Sequence, residues 1–133
     1  MIFVDASALV GILNREADAA ELAARLDAAE DRLTSLMAIY EATLGVWRRN
    51  RGTVEESRQD VMDLIARAGI RVVAITPAEA DIALAAFARY GKGQGHPAQL
   101  NIGDCFAYAA ARHHGAALLF KSDDFARTDI AAA

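Results

Sequence analysis

The chain has 133 residues, enough for one ordinary domain with a single core and too few for two. Apolar residues make up 54% and charged residues 24%, which excludes a disordered or fibrous chain. A net charge of −4 argues against a protein that coats nucleic acid by bulk attraction, although metal ions held by acidic residues would reverse the field locally.

No apolar run approaches the ~18 residues of a membrane span. The opening MIFVDASALV lacks a basic segment and meets an aspartate at position 5, so it does not resemble a signal peptide. The expected location is the cytoplasm. One cysteine, Cys105, leaves no partner for an internal disulfide and reads as a small core residue.

In chain order, IFV is a short strand buried on both faces and ending at Asp5, followed by a helix from about Ser7. Residues 16 to 29 predict a second helix, and RLTS a short strand. From Leu36 to Asn50, Met37, Tyr40, Leu44 and Trp47 recur at three- and four-residue steps and predict one apolar helix face, with Glu41 beside it. Thr53 and Glu56 form a capping box, and Gly69 suits a helix C-terminus, which brackets a helix from Thr53 to Ala68.

RVVAI predicts a β-branched strand. Thr76, Pro77 and Glu79 supply an N-cap, a first-turn proline and a capping-box acid for a helix ending near Tyr90 and Gly91. GKGQGHPAQL is a loop, Asn101 caps the next helix, and Gly115 ends it. ALLF is another buried strand, KSDDF turns the chain back, and a short segment follows around Asp129 and Ile130. Strands separated by helices imply an α/β fold with a central, mainly parallel sheet flanked by helices on both faces.

Four acids invite a functional reading. In open parallel sheets the site lies beyond the carboxyl ends of the strands, where Asp5 and Asp123 fall. Asp5 alone reads as a helix cap, but Ser7 is available for that task. Glu41 has Met37, Ala38, Leu44 and Gly45 at helical spacing, so no intrahelical cation pairs with it. Asp104 stands three residues after Asn101, where an acid favours the helix N-terminus, and it too lacks a local cation. Asp123 and Asp124 are adjacent turn acids, and spacing does not decide which faces inward. Carboxylates gathered above a sheet repel one another unless a divalent cation joins them, and Mg²⁺ takes oxygen ligands completed by substrate phosphates.

These residues resemble the PIN-domain ribonucleases, specifically the VapC toxins of type II toxin–antitoxin systems, over almost the whole chain. MIFVDASALVGIL is similar to that family's first strand and helix, with Asp5 as metal ligand and Ser7 as its hydroxyl neighbour. SLMAIYEATLGVWRR matches the segment that supplies the second acid, Glu41, and LNIGDCFAYAAARHHGAALLFKSDDFARTDI the segment that supplies Asp104. The fourth acid falls on Asp123 or Asp124, with Asp123 preferred. The resemblance implies a single PIN domain over residues 1 to 133 and Mg²⁺-dependent RNA cleavage, with Mn²⁺ as a substitute ion. In that implied chemistry Glu41 or Asp104 helps to orient the attacking water. It also implies a homodimer and inhibition by a VapB-type antitoxin that covers the site, where an antitoxin arginine would pair with carboxylates.

Other features carry less. His113 and His114 are adjacent on a helix and point about 100° apart, so by themselves they do not share a zinc ion easily and read as surface histidines. GKGQG lacks the Lys-Ser/Thr of a phosphate loop and reads as a mobile loop beside the substrate path. Arg48, Arg49 and Arg51 are either a solvated helix end or contacts to RNA phosphates near Glu41, with Ser7, Arg48 and Arg49 the expected substrate-binding residues. A signalling receiver domain shares the layered architecture, but it needs an acidic pair after the first strand and a phosphorylatable aspartate after a middle strand. This sequence offers Asp5 alone and Thr76. A module with the same fold and no catalysis is separated by assaying RNA cleavage beside an Asp5→Asn control.

Overall fold

A computed structural model describes residues 1–121 and 123–133. Among them the elements are β1 (Ile2–Val4), α1 (Ala6–Leu13), α2 (Ala19–Ala28), β2 (Arg32–Ser35), α3 (Leu36–Asn50), α4 (Val54–Arg67), β3 (Arg71–Val73), α5 (Pro77–Tyr90), α6 (Ile102–His114), β4 (Ala117–Leu119) and α7 (Asp123–Ala126). The four strands form one parallel sheet in the order β3-β2-β1-β4. From β1 the chain steps outward to β2 and β3, then returns to add β4 on the other side, so the order switches between β1 and β4.

Strand alternation divides the core. Phe3, Leu33 and Leu118 face α5, α6 and α7, where Ala83, Tyr90, Tyr108 and Phe125 complete one cluster. Ile2, Val4 and Leu119 face the other side, packing with Leu9, Leu22, Ile39, Val61 and Ile65. Each large side chain fully buried here contributes roughly 1.5–3 kcal/mol. The small residues Ala107, Ala109, Ala110 and Ala111 let α6 lie close on β1 and β4. Gly45 does the same for α3, since a Cβ there would meet Val10 of α1 at 2.7 Å.

The capping signals hold. Thr53 and Glu56 close a capping box at α4, Glu79 accepts from the Thr76 N–H at α5, and Asn101 and Asp104 close another at α6. Gly69 and Gly115 adopt φ of +61° and +65° after α4 and α6.

Three expectations are corrected. β3 ends at Val73 and not at Ile75, because its partner strand stops at Ser35, which turns to cap α3. The inward face of α3 is Ala38, Ile39, Ala42, Thr43 and Val46, while Tyr40 is 65% exposed. Two neighbouring apolar stripes share this helix, and periodicity does not say which one meets the sheet. Within KSDDF, Ser122 lies outside the described residues; beyond it the chain does more than turn back. Asp129 accepts from the Tyr108 hydroxyl at 2.7 Å and Arg112 at 2.9 Å, and the tail pairs along β4 through Leu118 and Ala132.

The loop after α5 is pinned at its base: Leu100 N–H donates to the Tyr90 carbonyl and Lys92 N–H to the Leu100 carbonyl, both at 2.9 Å. No helix of the described residues is long and apolar enough to cross a membrane.

Candidate active site

Asp5 follows β1 directly, and its N–H donates to the Leu119 carbonyl of β4 at 3.0 Å. This fixes its carboxyl at the boundary where the strand order switches, the place where α/β sheets open a binding crevice. The residue is 4% exposed. The choice between capping and chemistry dissolves here: Oδ2 caps α1 by accepting from the Ser7 N–H at 2.9 Å and the Ser7 hydroxyl at 2.5 Å. Ser7 Oγ in turn accepts from the Lys121 N–H at 3.0 Å, so the hydroxyl is a brace between Asp5 and the segment after β4.

Asp104 repeats this arrangement at α6. Its Oδ2 accepts from the Asn101 N–H at 3.0 Å, while its own N–H donates to Asn101 Oδ1 at 2.8 Å. The capping reading is thus true of both aspartates and uses one oxygen of each.

Glu41 comes in from α3, half-buried and, among the described residues, with no hydrogen bond or ion pair. Its carboxylate lies against the backbone of α6 at Gly103: a Cβ on that residue would overlap both Glu41 carboxylate oxygens and its Cδ. Sequence reasoning missed Gly103, a glycine in the first turn of α6. Its role depends on a helix sixty residues earlier in the chain.

Charge is felt between some of these acids: Asp5 and Asp104 act on Glu41, and Asp5 acts on Asp104. Burial, then the charges of Asp5 and Asp104, push the Glu41 carboxyl up to about 7. Burial pushes Asp104 up to about 6 against the Asn101 hydrogen bond, with further upward contributions from Asp5 and Asp124. Burial also raises Asp5, opposed by its hydrogen bonds to Ser7 and Ala6. Burial, and for Glu41 and Asp104 neighbouring negative charge, disfavour the ionised forms, which is what a bound cation would relieve. Lys121 does not serve as that cation: its Nζ is paired with Glu16 and with Asp18.

The structure separates the Asp123 and Asp124 pair. Asp123 is exposed and borders a side cleft with Ser7, Val10, Glu16 and Lys121. Asp124 is the one whose charge reaches Asp104.

A cleft of about 480 Å³ opens beside Glu41, lined by Ser7, Val10, Tyr40, Leu44, Arg48 and Asn101 among others. The three arginines therefore part company. Arg48 lines this cleft, Arg49 is exposed outside it, and Arg51 lies over the Trp47 ring at 5.4 Å. Cys105, next to Asp104, is buried and its thiol is pushed up to about 11, consistent with a core residue.

The donor set is all oxygen, which fits a hard divalent cation such as Mg²⁺ or Mn²⁺. Among the described residues the three carboxylates are not drawn within 4.8 Å of one another, an open spacing that suits an ion retaining several waters.

Residues 2–131 match the PIN domain family. The chain is 42% identical to a VapC ribonuclease of Rhizobium meliloti (strain 1021), with 98% of this chain and 99% of that protein covered. The chain belongs to the VapC family of PIN-domain ribonucleases. It is also 42% identical to Ribonuclease VapC30 of Mycobacterium tuberculosis, over 96% of this chain and 95% of that one. The crystal structure of Mycobacterium tuberculosis VapC20, described as a sarcin-ricin loop cleaving toxin, superposes with a TM-score of 0.80 at 17% identity. That match covers 100% of this chain and 98% of the other, and supports the PIN fold.

Proposed function

We propose that this VapC-family chain is the toxin of a toxin–antitoxin pair, an endoribonuclease that hydrolyses RNA phosphodiester bonds with Mg²⁺, for which Mn²⁺ substitutes. The observation that carries the reading is the junction of Asp5, Glu41 and Asp104: burial raises the proton affinity of all three, and the charges of Asp5 and Asp104 raise that of Glu41 further, beside an open cleft. Asp5 and Asp104 would hold the ion through the oxygens their caps leave over, and Glu41 would complete the set. Asp124 takes the fourth place that sequence reasoning gave to Asp123, because its charge is the one felt at Asp104.

When bound, the ion supplies charge stabilisation at the phosphate and a more acidic water. The chain's own residues do the rest. Ser7 fixes the Asp5 carboxylate, and Gly103 lets Glu41 stand against α6. Glu41, with a proton affinity near neutrality, is suited to orient and deprotonate the attacking water. Arg48 on the cleft wall is placed to contact an RNA phosphate, with Arg49 further out. The exposed Tyr40 ring offers a face on which an unpaired base would stack.

An acidic pocket is a dock for a basic partner, so a VapB-type antitoxin would inhibit by laying an arginine onto these carboxylates. The exposed Leu84 and Ile102 beside the apolar groove between α5 and α6 are suited to a homodimer contact. The deciding experiment is cleavage of a defined RNA by the purified chain. Activity is expected with Mg²⁺ or Mn²⁺, and a loss of at least about 100-fold with chelator or in Asp5→Asn. Cleavage that survives both would overturn the reading.

A further inference from the structure

Away from the carboxylates, Glu79 of α5 meets His113 and His114 of α6. His113 lies nine residues beyond Asp104, or about 14 Å along the helix axis. The donor atoms of Glu79, His113 and His114 all fall within 4.8 Å of one another. Sequence reasoning set the two histidines aside because neighbours on a helix diverge. Here the rings stand edge to face, 5.0 Å apart at 86°, in the last turn before Gly115, and a third donor comes from the facing helix.

Glu79 is only 1% exposed. Its Oε2 accepts from the Thr76 N–H at 2.8 Å and hydroxyl at 3.0 Å, closing the start of α5. Its Oε1 points to His114, but at 4.0 Å from Nε2 the gap is too long for a hydrogen bond. That Nε2 is buried and has no hydrogen-bond partner among the described residues. A buried carboxylate oxygen therefore faces a buried imidazole nitrogen across a space neither fills, with the exposed His113 ring at its mouth.

We infer that Glu79, His113 and His114 form a second metal site, chemically distinct from the carboxylate cluster and selective for Zn²⁺ or a similar borderline ion such as Co²⁺. Two imidazoles and one carboxylate are a donor set that Zn²⁺ takes and that Mg²⁺ does not favour. Tetrahedral Zn²⁺ with ligands at about 2.0–2.1 Å needs donors roughly 3.3 Å apart, so the set closes by a modest rotation of the histidine rings. Water takes the fourth position on the open side. The helix C-terminus at His114 adds favourable potential for a cation. Bound there, the ion ties the start of α5 to the end of α6.

The test uses the full chain stripped of metal and titrated with Co²⁺ in excess Mg²⁺, followed by visible absorption, with Zn²⁺-dependent melting as a second readout. One Co²⁺ per chain with an intense tetrahedral-type spectrum is expected, together with a melting temperature raised by Zn²⁺. Binding should weaken at least tenfold in His113→Ala and in Glu79→Gln, the latter keeping an acceptor for Thr76. The double variant Asp5→Asn/Asp104→Asn, which disables the carboxylate cluster, should keep both responses. Should Glu79→Gln fail to fold, the exposed His113 still decides. Absence of a tetrahedral spectrum, unchanged binding in His113→Ala, or loss of binding in the double variant each overturns the site.

Discussion

At the scale of single residues, Asp104 shows why a local reading of an acid need not compete with a functional one. Its Oδ2 closes the α6 capping box while its charge is felt at Glu41. Because its carboxyl is raised to about 6 from an ordinary 3.8, the folded state holds a proton that the unfolded chain has released. Its contribution to stability is thus present below about pH 4 and is lost as pH rises through 6. Asp104→Asn keeps an acceptor for the Asn101 N–H and removes that loss. Melting of the metal-free protein should therefore shift upward in the variant at pH 8 and converge with wild type near pH 4, while cleavage is abolished. A lower melting temperature at pH 8 would mean that capping outweighs repulsion. Gly103 gives the opposite separation: alanine should favour the helix by up to about 1 kcal/mol, but its Cβ would displace the Glu41 carboxylate. Gly103→Ala should keep the fold by circular dichroism and lose at least about tenfold in cleavage rate, and an unchanged rate would exclude the contact.

At the scale of elements, α3 carries Glu41 and Arg48 two turns apart along the same cleft, with Arg49 exposed and outside its lining. Its length and its caps were readable from sequence, yet the face it buries was not. The sheet is met by the smaller stripe of Ala38, Ala42 and Thr43, which pushes Tyr40 outward. Arg48→Ala should weaken RNA binding across sequences and lower the slope of log affinity against log salt by about 1, with Arg49→Ala close to wild type. Equal effects of the two substitutions in a salt titration would return both arginines to the role of a solvated helix end.

At the scale of the whole molecule, the net charge of −4 is distributed so that Asp5 after β1 and Asp104 of α6 act on Glu41 of α3, while Lys121 is held by Glu16 and Asp18. A basic antitoxin segment that inhibits by occupying this region should compete with Mg²⁺. Raising Mg²⁺ should weaken inhibition more than a non-coordinating salt at equal ionic strength, which controls for screening. Antitoxin affinity independent of Mg²⁺ under that control would place inhibition elsewhere on the surface.

The sequence by itself determined the alternation of strands and helices, most of their ends, and the acids worth watching, because caps, periods and turns are set by neighbours within a few residues. Thr53, Thr76, Asn101, Gly69 and Gly115 all act as their local context requires. Only the tertiary structure decided what those residues meet. The ladder of β3 ends where Ser35 leaves β2, the charge of Asp124 is felt at Asp104, and Gly103 makes room for Glu41. Each of these depends on contacts between segments far apart in the chain, whose distances no local pattern encodes. The same holds for Glu79 and the two histidines: the spacing of His113 and His114 argued against a shared ion, and the packing of α5 on α6 supplied the third donor that changes the geometry.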